Sequence, residues 1–356
     1  MTRIGVNALY LIPGGVGGTE IYLRELLAAL AQIDPVNDYF IFTNQETAAD
    51  LIPRQSNFHW KPQAVHARFR PARILWEQLV LPLEASRYRL DVLFNPGFTA
   101  PVLAPCPCVT VFHDLQHKRH PEHFRWYDLP VWRLLLWLSA RRSRTLVAVS
   151  KSTRADLQRY YPFASARITV IPHGVDPAFF TLDRTHIDPY ILCVSTLHPH
   201  KNLERLLRVY SKNPEHHLIL AGMHGFQTEP IKRLIADLNL ADKIQLPGWL
   251  PRADLMNLYA HARAFIYPST FEGFGMPVLE AMAAGIPIAC SDIPPLRELA
   301  ADAALYFNPE DDAALANALT QIVNDTDLRT RLTEAGPTRA RNYTWPSTAT
   351  QTLNIL

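Results

Sequence analysis

The sequence predicts an α/β protein with two doubly wound, Rossmann-like domains, each built on a parallel sheet. Short β-branched runs alternate with amphipathic stretches along all 356 residues, a pattern typical of parallel strands joined by crossover helices. A chain of this length is expected to form about two domains. The alternation pauses once, at residues 176–189, where prolines and aspartates follow no clear period. We therefore expect a linker there, with two facing domains and a cleft between them.

The first series of elements occupies residues 1–180. Strands are predicted at residues 3–7, 39–43, 92–94, 109–112, 145–149 and 168–171. Helices are predicted between several of them, at residues 18–31, 72–85, 127–141 and 151–160. Because ligands of doubly wound sheets bind beyond the carboxyl ends of the strands, the residues after each strand are the first candidates for a site.

The second series occupies residues 181–338. Strands are predicted at residues 190–194, 217–221, 244–246, 264–267, 288–289 and 304–307. Helices are predicted at residues 202–210, 229–237, 253–261, 277–284 and 311–324. The tail, residues 339–356, has a helical pattern that Pro346 is expected to break, and it is predicted to cross back to the first domain.

The composition suits a compact α/β protein and excludes several function classes. Apolar residues make up 48% of the chain, enough to fill two cores, and the net charge is only +2. So weak a charge provides no general field for binding a nucleic acid. The four cysteines follow no spacing typical of a secreted disulfide scaffold. No signal peptide and no stretch of about 20 apolar residues is evident, so we expect a cytoplasmic protein.

The segment with the most information contains two glutamates eight residues apart, Glu272 and Glu280. Gly273 and Gly275 loosen the backbone after the first glutamate, and Pro277 suits the first turn of a helix. A helix start presents unpaired N–H groups and a partial positive charge, which attract an anion. The sequence therefore predicts a site for a phosphorylated ligand, with a carboxylate on either side to bind hydroxyl groups.

Three further segments follow predicted strands. His113 and Asp114 come directly after the strand at 109–112, so His113 is predicted to donate or accept a hydrogen bond in the site, or else to be a structural histidine. Lys201 precedes a predicted helix, where its ammonium group is free to meet a diphosphate. The glycine-rich loop at residues 13–20 fits the dinucleotide fingerprint poorly. This loop is either a tight strand-to-helix turn without a ligand or a part of the cleft rim that contacts phosphate or sugar.

Two other patterns leave alternatives open. His117, His120 and His123 are close in sequence, but Pro121 is expected to interrupt any helix that would align them, and no cysteine or paired carboxylate completes a tetrahedral set. No metal site is therefore expected. The apolar and basic stretch at residues 131–142 is interpreted as a buried crossover helix, with weak peripheral contact with the inner face of a membrane as the alternative.

Together these segments resemble the retaining glycosyltransferases of family 4, which have the GT-B fold. The run from Phe271 to Pro287 is similar to the family's Glu-x7-Glu motif almost without departure. Supporting similarities are the Gly17-Gly18 loop, His113-Asp114, Val149-Ser150, the run from Ile171 to Asp176 and the run from Pro199 to Asn202. The resemblance covers nearly the whole chain.

The resemblance implies a role for each matching residue. Lys201 would meet the donor diphosphate, Glu280 the ribose, and Glu272 with the amides of residues 273–276 the transferred sugar and phosphate. His113 would lie near the sugar and the acceptor. The catalytic set is therefore His113, Lys201 and Glu272. The predicted donor-binding set is Gly17, Gly18, Ser150, Ser195, Thr196, Gly248, Trp249, Leu250, Gly273, Phe274, Gly275, Met276, Val278 and Glu280.

One departure from the family pattern affects charge. Many members have an arginine beside the diphosphate lysine, at positions that hold Thr196 and His200 here. The resemblance also implies a retaining reaction that needs no divalent metal or other cofactor. The expected partners are a nucleotide sugar, with GDP-mannose preferred to a UDP-hexose, and a glycan or lipid-linked acceptor in surface polysaccharide synthesis. A nucleotide-sugar 2-epimerase and a non-catalytic sugar-nucleotide-binding protein are the alternatives.

Overall fold

The computed structural model describes residues 1–15, 17–223, 225 and 227–356. The chain divides into two units. The first unit comprises Met1–Gly174 together with Trp345–Leu356, and the second comprises Val175–Thr344. The observed boundaries, after Gly174 and Thr344, each lie a few residues from the boundaries predicted after residues 180 and 338.

The first unit contains a seven-stranded sheet in the order β3-β2-β1-β4-β5-β6-β7, and every neighbouring pair is parallel. Its strands are β1 (Arg3–Ala8), β2 (Asp38–Thr43), β3 (Phe58–Pro62), β4 (Val92–Asn95), β5 (Cys108–Phe112), β6 (Thr145–Ala148) and β7 (Ile168–Val170). Its helices are α1 (Gly18–Ile33), α2 (Arg70–Leu75), α3 (Leu81–Arg87), α4 (Gln116–Arg119), α5 (Leu129–Arg142), α6 (Lys151–Tyr160) and α14 (Trp345–Leu353).

Two predictions about the first unit were wrong. The edge strand β3 was not predicted, because its residues alternate between buried and more exposed positions without a β-branched run. The single helix predicted at residues 72–85 is instead three consecutive segments: α2, a π-helical turn at Trp76–Val80, and α3. Pro82 lies in the first turn of α3, directly after the π-helical turn.

The second unit contains a six-stranded parallel sheet in the order β10-β9-β8-β11-β12-β13. Its strands are β8 (Asp188–Val194), β9 (His217–Ala221), β10 (Ile244–Gly248), β11 (Ala262–Tyr267), β12 (Ile288–Ser291) and β13 (Leu305–Phe307). Its helices are α7 (Leu203–Tyr210), α8 (Thr228–Asp237), α9 (Arg252–His261), α10 (Met276–Ala283), α11 (Pro294–Ala300), α12 (Asp312–Asn324) and α13 (Thr326–Ala340). Helices α11 and α13 were not predicted.

Both sheets are doubly wound, as the sequence predicted. The first strand of each series lies inside its sheet: β1 between β2 and β4, and β8 between β9 and β11. The connections run outward in opposite directions from that strand, and such a switch point is where α/β sheets bind ligands. In the second unit, the loops that follow β8 and β11 frame this point.

The tail does not break at Pro346. Helix α13 ends at Ala340, and α14 begins at Trp345, so Pro346 lies in the first turn of α14, where proline is well tolerated. Helix α14 packs against α1 within the first unit. The indole of Trp345 lies 6.1 Å from the ring of Tyr22. None of the helices in the described part of the chain is both long and apolar enough to cross a membrane.

Candidate functional site

An ion pair joins the two loops at the switch point of the second unit. Lys201 follows β8 and Glu272 follows β11, and the Lys201 Nζ lies 2.6 Å from the Glu272 Oε1. The side chains are only 13% and 10% exposed. The Lys201 ammonium also donates to the Tyr267 hydroxyl at 2.9 Å. Residues 71 positions apart therefore form one compact charged group at the expected edge of the sheet.

Backbone and side-chain hydrogen bonds hold this pair in place. The carbonyl of His200, in the 3₁₀ turn Pro199–Lys201, accepts from the Thr270 amide at 2.8 Å and from the Ser269 hydroxyl at 3.0 Å. Asn202 has a left-handed backbone, with φ of 56°, and its amide group donates to the carbonyl of Pro268 at 3.2 Å. The loop after β8 is thus fastened directly to the loop after β11.

Helix α10 begins beside this pair, as the glycines and proline predicted. Gly275 precedes it with φ of 104°, and a Cβ there would lie 2.6 Å from the Cδ2 of Leu296, so this position requires glycine. Pro277 lies in the first turn, and no side chain caps the helix start. The first N–H groups of such a helix have no intrahelical partner and favour an anion. Phe274 is buried with its ring 5.9 Å from Tyr343.

Glu280 lies inside α10 and is buried. Its Oε2 accepts a hydrogen bond from the Tyr259 hydroxyl at 2.7 Å. Burial disfavours the carboxylate and raises the pKa of Glu280 to about 7, although the Tyr259 hydrogen bond and Arg252 act in the opposite direction. Burial and the nearby Glu280 raise the pKa of the Tyr259 phenol well above its usual value, so the phenol remains the donor.

The ends of β8, β9 and β10 form the adjacent part of this edge. The Gly222 amide donates to the Gly248 carbonyl at 2.9 Å. A Cβ on Gly222 would lie 2.2 Å from the Ser195 carbonyl oxygen, so the backbones approach closely here. Trp249 follows with 57% of its surface exposed. Ser195 and Gly248 are buried, whereas Thr196, Leu250, Gly273, Met276 and the Lys201–Glu272 pair keep partial exposure.

His113 occupies the corresponding edge of the first unit, directly after β5. Its Nε2 lies 2.8 Å from the Pro96 carbonyl oxygen. Because a carbonyl only accepts, Nε2 carries the proton and Nδ1 is the acceptor in the neutral ring. Burial lowers the pKa of His113 to about 4, despite the opposing effect of the Pro96 hydrogen bond. The imidazole is therefore neutral near pH 7, and it packs 5.1 Å from the ring of Tyr22.

The other predicted residues of the first unit have structural contacts. Gly17 precedes α1 with φ of 58°, and Gly18 is the first residue of that helix. Ser150 is buried and caps α6, its hydroxyl accepting from the Thr153 amide at 3.0 Å. Within the predicted glycine-rich loop, the Gly14 amide donates to the Glu20 carboxylate at 2.8 Å. Val16 of the same loop lies outside the described residues.

The histidine-rich segment brings two of its rings together. As predicted, Pro121 interrupts the helix and starts a 3₁₀ turn, and the rings of His120 and His123 stack 5.2 Å apart. The His120 Nδ1 lies 2.9 Å from the Glu122 Oε1, and the three side chains offer possible ligand atoms within 4.8 Å of one another. His117 points elsewhere, with its Nε2 3.0 Å from the Tyr161 hydroxyl.

Helix α5, predicted as a buried crossover, is buried on one face only. Leu136, Ser139 and Ala140 are buried, whereas Val131, Leu134 and Trp137 are exposed. The Arg141 guanidinium lies 5.6 Å from the Trp137 ring centroid. The prediction that α5 is a crossover helix between β5 and β6 is therefore confirmed, whereas the prediction that it is buried holds for one face only.

Comparisons with known proteins identify the family of the chain. A family model described as Glycosyltransferase Family 4 matches residues 16–179, and one described as Glycosyl transferases group 1 matches residues 178–339. The chain is 28% identical over 363 residues to O-antigen chain mannosyltransferase B of Escherichia coli, with 95% of each chain covered. The chain belongs to glycosyltransferase family 4.

Solved structures identify the fold of this glycosyltransferase. Sucrose-phosphate synthase of Thermosynechococcus elongatus aligns with a TM-score of 0.81 at 21% identity, over 100% of this chain and 98% of that one. HepE of Anabaena, in complex with UDP and glucose, aligns with a TM-score of 0.77 at 20% identity, over 100% of both chains. With its two Rossmann-like sheets, the glycosyltransferase has the predicted GT-B fold.

Two tyrosines of the site were not predicted from the sequence of this glycosyltransferase. Tyr267 bonds Lys201, and Tyr259 bonds Glu280. Tyr267 is the last residue of β11, and its place at a strand end is a signal that could have identified it. Tyr259 lies within α9 and is fully buried, so its sequence position resembles that of an ordinary core residue.

Proposed function

We propose that the protein is a retaining hexosyltransferase that moves mannose from GDP-mannose to a glycan or lipid-linked acceptor in surface polysaccharide synthesis. The observation that carries the proposal is the Lys201–Glu272 pair, which lies at the switch point beside the start of α10. The similarity to an O-antigen chain mannosyltransferase over 95% of the chain supports mannose and a polysaccharide product. A UDP-hexose is the second donor candidate, and HepE has been solved with UDP and glucose.

In this proposal the donor lies across the edge of the second sheet. Lys201 exchanges part of its contact with Glu272 for the donor diphosphate, and the start of α10 receives the phosphate oxygens. Glu272 and the segment 273–276 hold the transferred sugar. Glu280 accepts hydrogen bonds from the ribose hydroxyls, and the segment 248–250 contacts the base. Ser195, Thr196 and Val278 complete the donor-binding set in this unit.

The same geometry supports the proposal that no metal is needed for charge compensation. Lys201 carries a full positive charge close to the partial positive end of α10, and together they oppose the diphosphate. Thr196 and His200 hold the positions where many family members have an arginine. Arg205, the next cation along the chain, lies 3.0 Å from Asp312 and bonds the Pro309 carbonyl instead. We therefore propose that Lys201 and the start of α10 together compensate most of the diphosphate charge.

The transfer step conserves the anomeric configuration by attack on the same face of the sugar. The bond between the sugar C1 and the phosphate oxygen breaks, and its electron pair leaves with the nucleoside diphosphate. The acceptor hydroxyl oxygen forms the new bond to C1, and its proton passes to the departing phosphate. Donors already aimed at the leaving oxygen stabilise this transition state without reorganisation. Glu272 then positions the sugar and forms no covalent bond to it.

His113 contributes a neutral hydrogen-bonding group in this proposal. Its Nε2–H is committed to the Pro96 carbonyl, which leaves Nδ1 as an acceptor. Since burial lowers the pKa of His113 to about 4, the ring does not place a positive charge near the developing cationic sugar. We assign it to a hydroxyl of the sugar or of the acceptor.

A donor panel tests this function. Purified protein is incubated with GDP-, UDP-, ADP- and dTDP-sugars and phosphate-free mannosides as acceptors, and the anomeric configuration of the product is determined by NMR. We expect acceptor-dependent release of GDP from GDP-mannose and an α-linked product. Lys201→Ala and Glu272→Ala should each lower kcat by about 10²–10³ while the fold is retained, and Lys232→Ala, at an exposed lysine of the same unit, is the control.

The same assay separates the alternatives. A 2-epimerase would convert the donor alone, without acceptor, and a sugar-nucleotide-binding protein would bind the donor without turnover. Inversion at the anomeric carbon would contradict the retaining mechanism. Near-normal turnover in a folded Lys201→Ala or Glu272→Ala protein would contradict the site assignment.

We further propose weak contact of the first unit with an anionic membrane. The exposed Val131, Leu134 and Trp137 form an apolar face of α5, and Arg141 and Arg142 follow at its end. Apolar side chains next to basic ones are typical of helices that bind anionic lipid surfaces. We expect the protein to float with vesicles of anionic lipid at low salt, and Trp137→Ser with Leu134→Ser to abolish flotation. Equal flotation of the variant would refute this contact.

A further inference from the structure

The side chain of one buried arginine in the first unit has no hydrogen-bond or ion-pair partner among the described residues. Arg73 lies in α2 and is only 7% exposed. Its Nε is fully buried and unpaired, and no hydrogen bond or ion pair joins its side chain to another of the described residues. Its terminal nitrogens are not among the fully buried unpaired atoms, so they reach solvent. Burying the Nε without a partner costs free energy, and a ligand that accepts hydrogen bonds from the guanidinium would offset this cost.

The neighbouring carboxylate balances the charge of Arg73 but does not bind it. Glu77 follows four residues later and is 2% exposed. Its Oε2 accepts from the Thr99 hydroxyl at 2.9 Å, and its Oε1 lies 3.2 Å from the Gln78 Nε2. Burial lowers the pKa of the Arg73 guanidinium, and the charge of Glu77 opposes that effect. Arg70 on the same helix is a further positive charge near Arg73 and also lowers the pKa of its guanidinium.

Residues 96–99, a short loop directly after β4, connect Glu77 to His113. Pro96, at the start of these residues, accepts the His113 hydrogen bond, and Thr99, at their end, donates to Glu77. Phe98 between them has a left-handed backbone with φ of 72°, which is uncommon for a bulky residue. Its ring lies 5.2 Å from that of His113. The Arg73–Glu77 position and the His113 position are thus the two ends of one short loop.

We propose that Arg73 is a binding residue for the saccharide part of the acceptor, donating hydrogen bonds to its hydroxyl oxygens at the end of the loop away from His113. This inference rests on the proposed transferase function and deepens it. Unpaired N–H donors need oxygen acceptors. The buried Glu77 carboxylate would repel a phosphate bound at Arg73, whereas a neutral sugar hydroxyl is not repelled by the nearby carboxylate.

Substitutions at Arg73 and at a matched arginine test the inference. Arg73→Lys keeps the charge but loses the planar fork of donors, and Arg73→Gln removes the charge. Arg70 begins the same helix and is exposed, so Arg70→Lys and Arg70→Gln are the controls. The probes are octyl α-mannoside and the same sugar carried on an alkyl diphosphate. Circular dichroism and thermal unfolding confirm that each variant is folded.

We expect both Arg73 variants to raise KM for octyl α-mannoside by about tenfold or more, because hydrogen bonds to a charged donor are lost. KM for the donor, and the slow hydrolysis of donor without acceptor, should change by less than about twofold. The two probes should be affected equally, since both carry the same sugar. The Arg70 variants should resemble the wild type.

Three results would overturn the inference. An unchanged acceptor KM in folded Arg73→Lys would show that Arg73 has only a structural role. A loss confined to the diphosphate-linked probe would assign Arg73 to a phosphate. If the protein transfers sugar to neither acceptor probe, calorimetry with α-mannobiose tests the subsite without turnover. Equal affinity of the wild type and Arg73→Lys for α-mannobiose, or no binding to either, would refute the subsite. Failure of the transferase proposal itself is recognised separately, by absence of donor binding and hydrolysis.

Discussion

At the scale of single residues, the site depends on how burial changes ordinary side chains. The imidazole of His113 is kept neutral because burial lowers its pKa, and Glu280 is kept partly protonated because burial raises its pKa. Lys201 and Glu272 instead pair with each other at 2.6 Å. Burial thus moves the pKa of His113 and that of Glu280 in opposite directions, because it disfavours the charged form of each.

Glu280 should make stability depend on pH. Its pKa is about 7 in the folded protein, against 4.5 for an unperturbed glutamate. Between these values the folded state holds the proton that the unfolded chain has released, so this group makes stability fall as pH rises from about 4.5 to about 7. Thermal unfolding from about pH 5 to about pH 8 should show Tm of the wild type falling relative to that of Glu280→Gln.

The matched control for this measurement is Glu298→Gln, at a glutamate of α11 in the same unit. Its Tm should run parallel to that of the wild type over the same pH range. A difference between the wild type and Glu280→Gln that stays constant with pH would show that Glu280 is ionised throughout.

At the scale of elements, the two ends of α10 show why its glycines differ. Gly275 precedes the helix and Gly285 follows it, and both have positive φ, of 104° and 67°. A Cβ at Gly285 would meet nothing closer than 3.5 Å, whereas at Gly275 it would lie 2.6 Å from Leu296. The first glycine is needed both for its backbone and for space, and the second for its backbone alone.

Gly275→Ala should therefore destabilise the protein more than Gly285→Ala. A left-handed non-glycine residue costs about 1–2 kcal/mol, and overpacking at Gly275 adds about 1–3 kcal/mol. Urea unfolding of both variants measures the difference. Gly275→Ala should also weaken binding of the sugar nucleotide, because the start of α10 must shift. Equal destabilisation of the two variants would contradict the close contact with Leu296.

At the scale of the whole molecule, chain order and spatial order differ. The last helix, α14, packs on α1 in the first unit, after the chain has completed the second. Trp345 begins that helix and is buried near Tyr22 and His173. Residues from both ends of the sequence thus form one core, next to the edge that holds His113.

Removal of divalent metals tests the charge balance of the whole enzyme. We expect activity on the preferred donor to survive EDTA, because Lys201 and the start of α10 oppose the diphosphate. Initial rates with and without EDTA should agree within about twofold. A loss that manganese restores would refute the metal-free mechanism, and His120→Ala would then show whether the His120–Glu122–His123 group is responsible.

Much of the fold could be predicted because its signals are local. The β-branched runs of β1, β5 and β8 are buried on both faces, so the sequence itself marks them as inner strands of a parallel sheet. Strand β3 and helices α4, α11 and α13 were missed. Their patterns are weak, and contacts with the rest of the unit stabilise them more than their own propensities do.

The sequence by itself determined which residue types follow the strands and where α10 begins, because turns and helix starts depend on neighbouring residues. That was enough to indicate Lys201, Glu272 and Glu280 as candidates for an anion site. Only the tertiary structure decided that Lys201 meets Glu272 and Tyr267, that Tyr259 holds Glu280, and that Arg73 is buried without a partner. These properties depend on distance and burial between segments far apart in the chain, which no local spacing specifies.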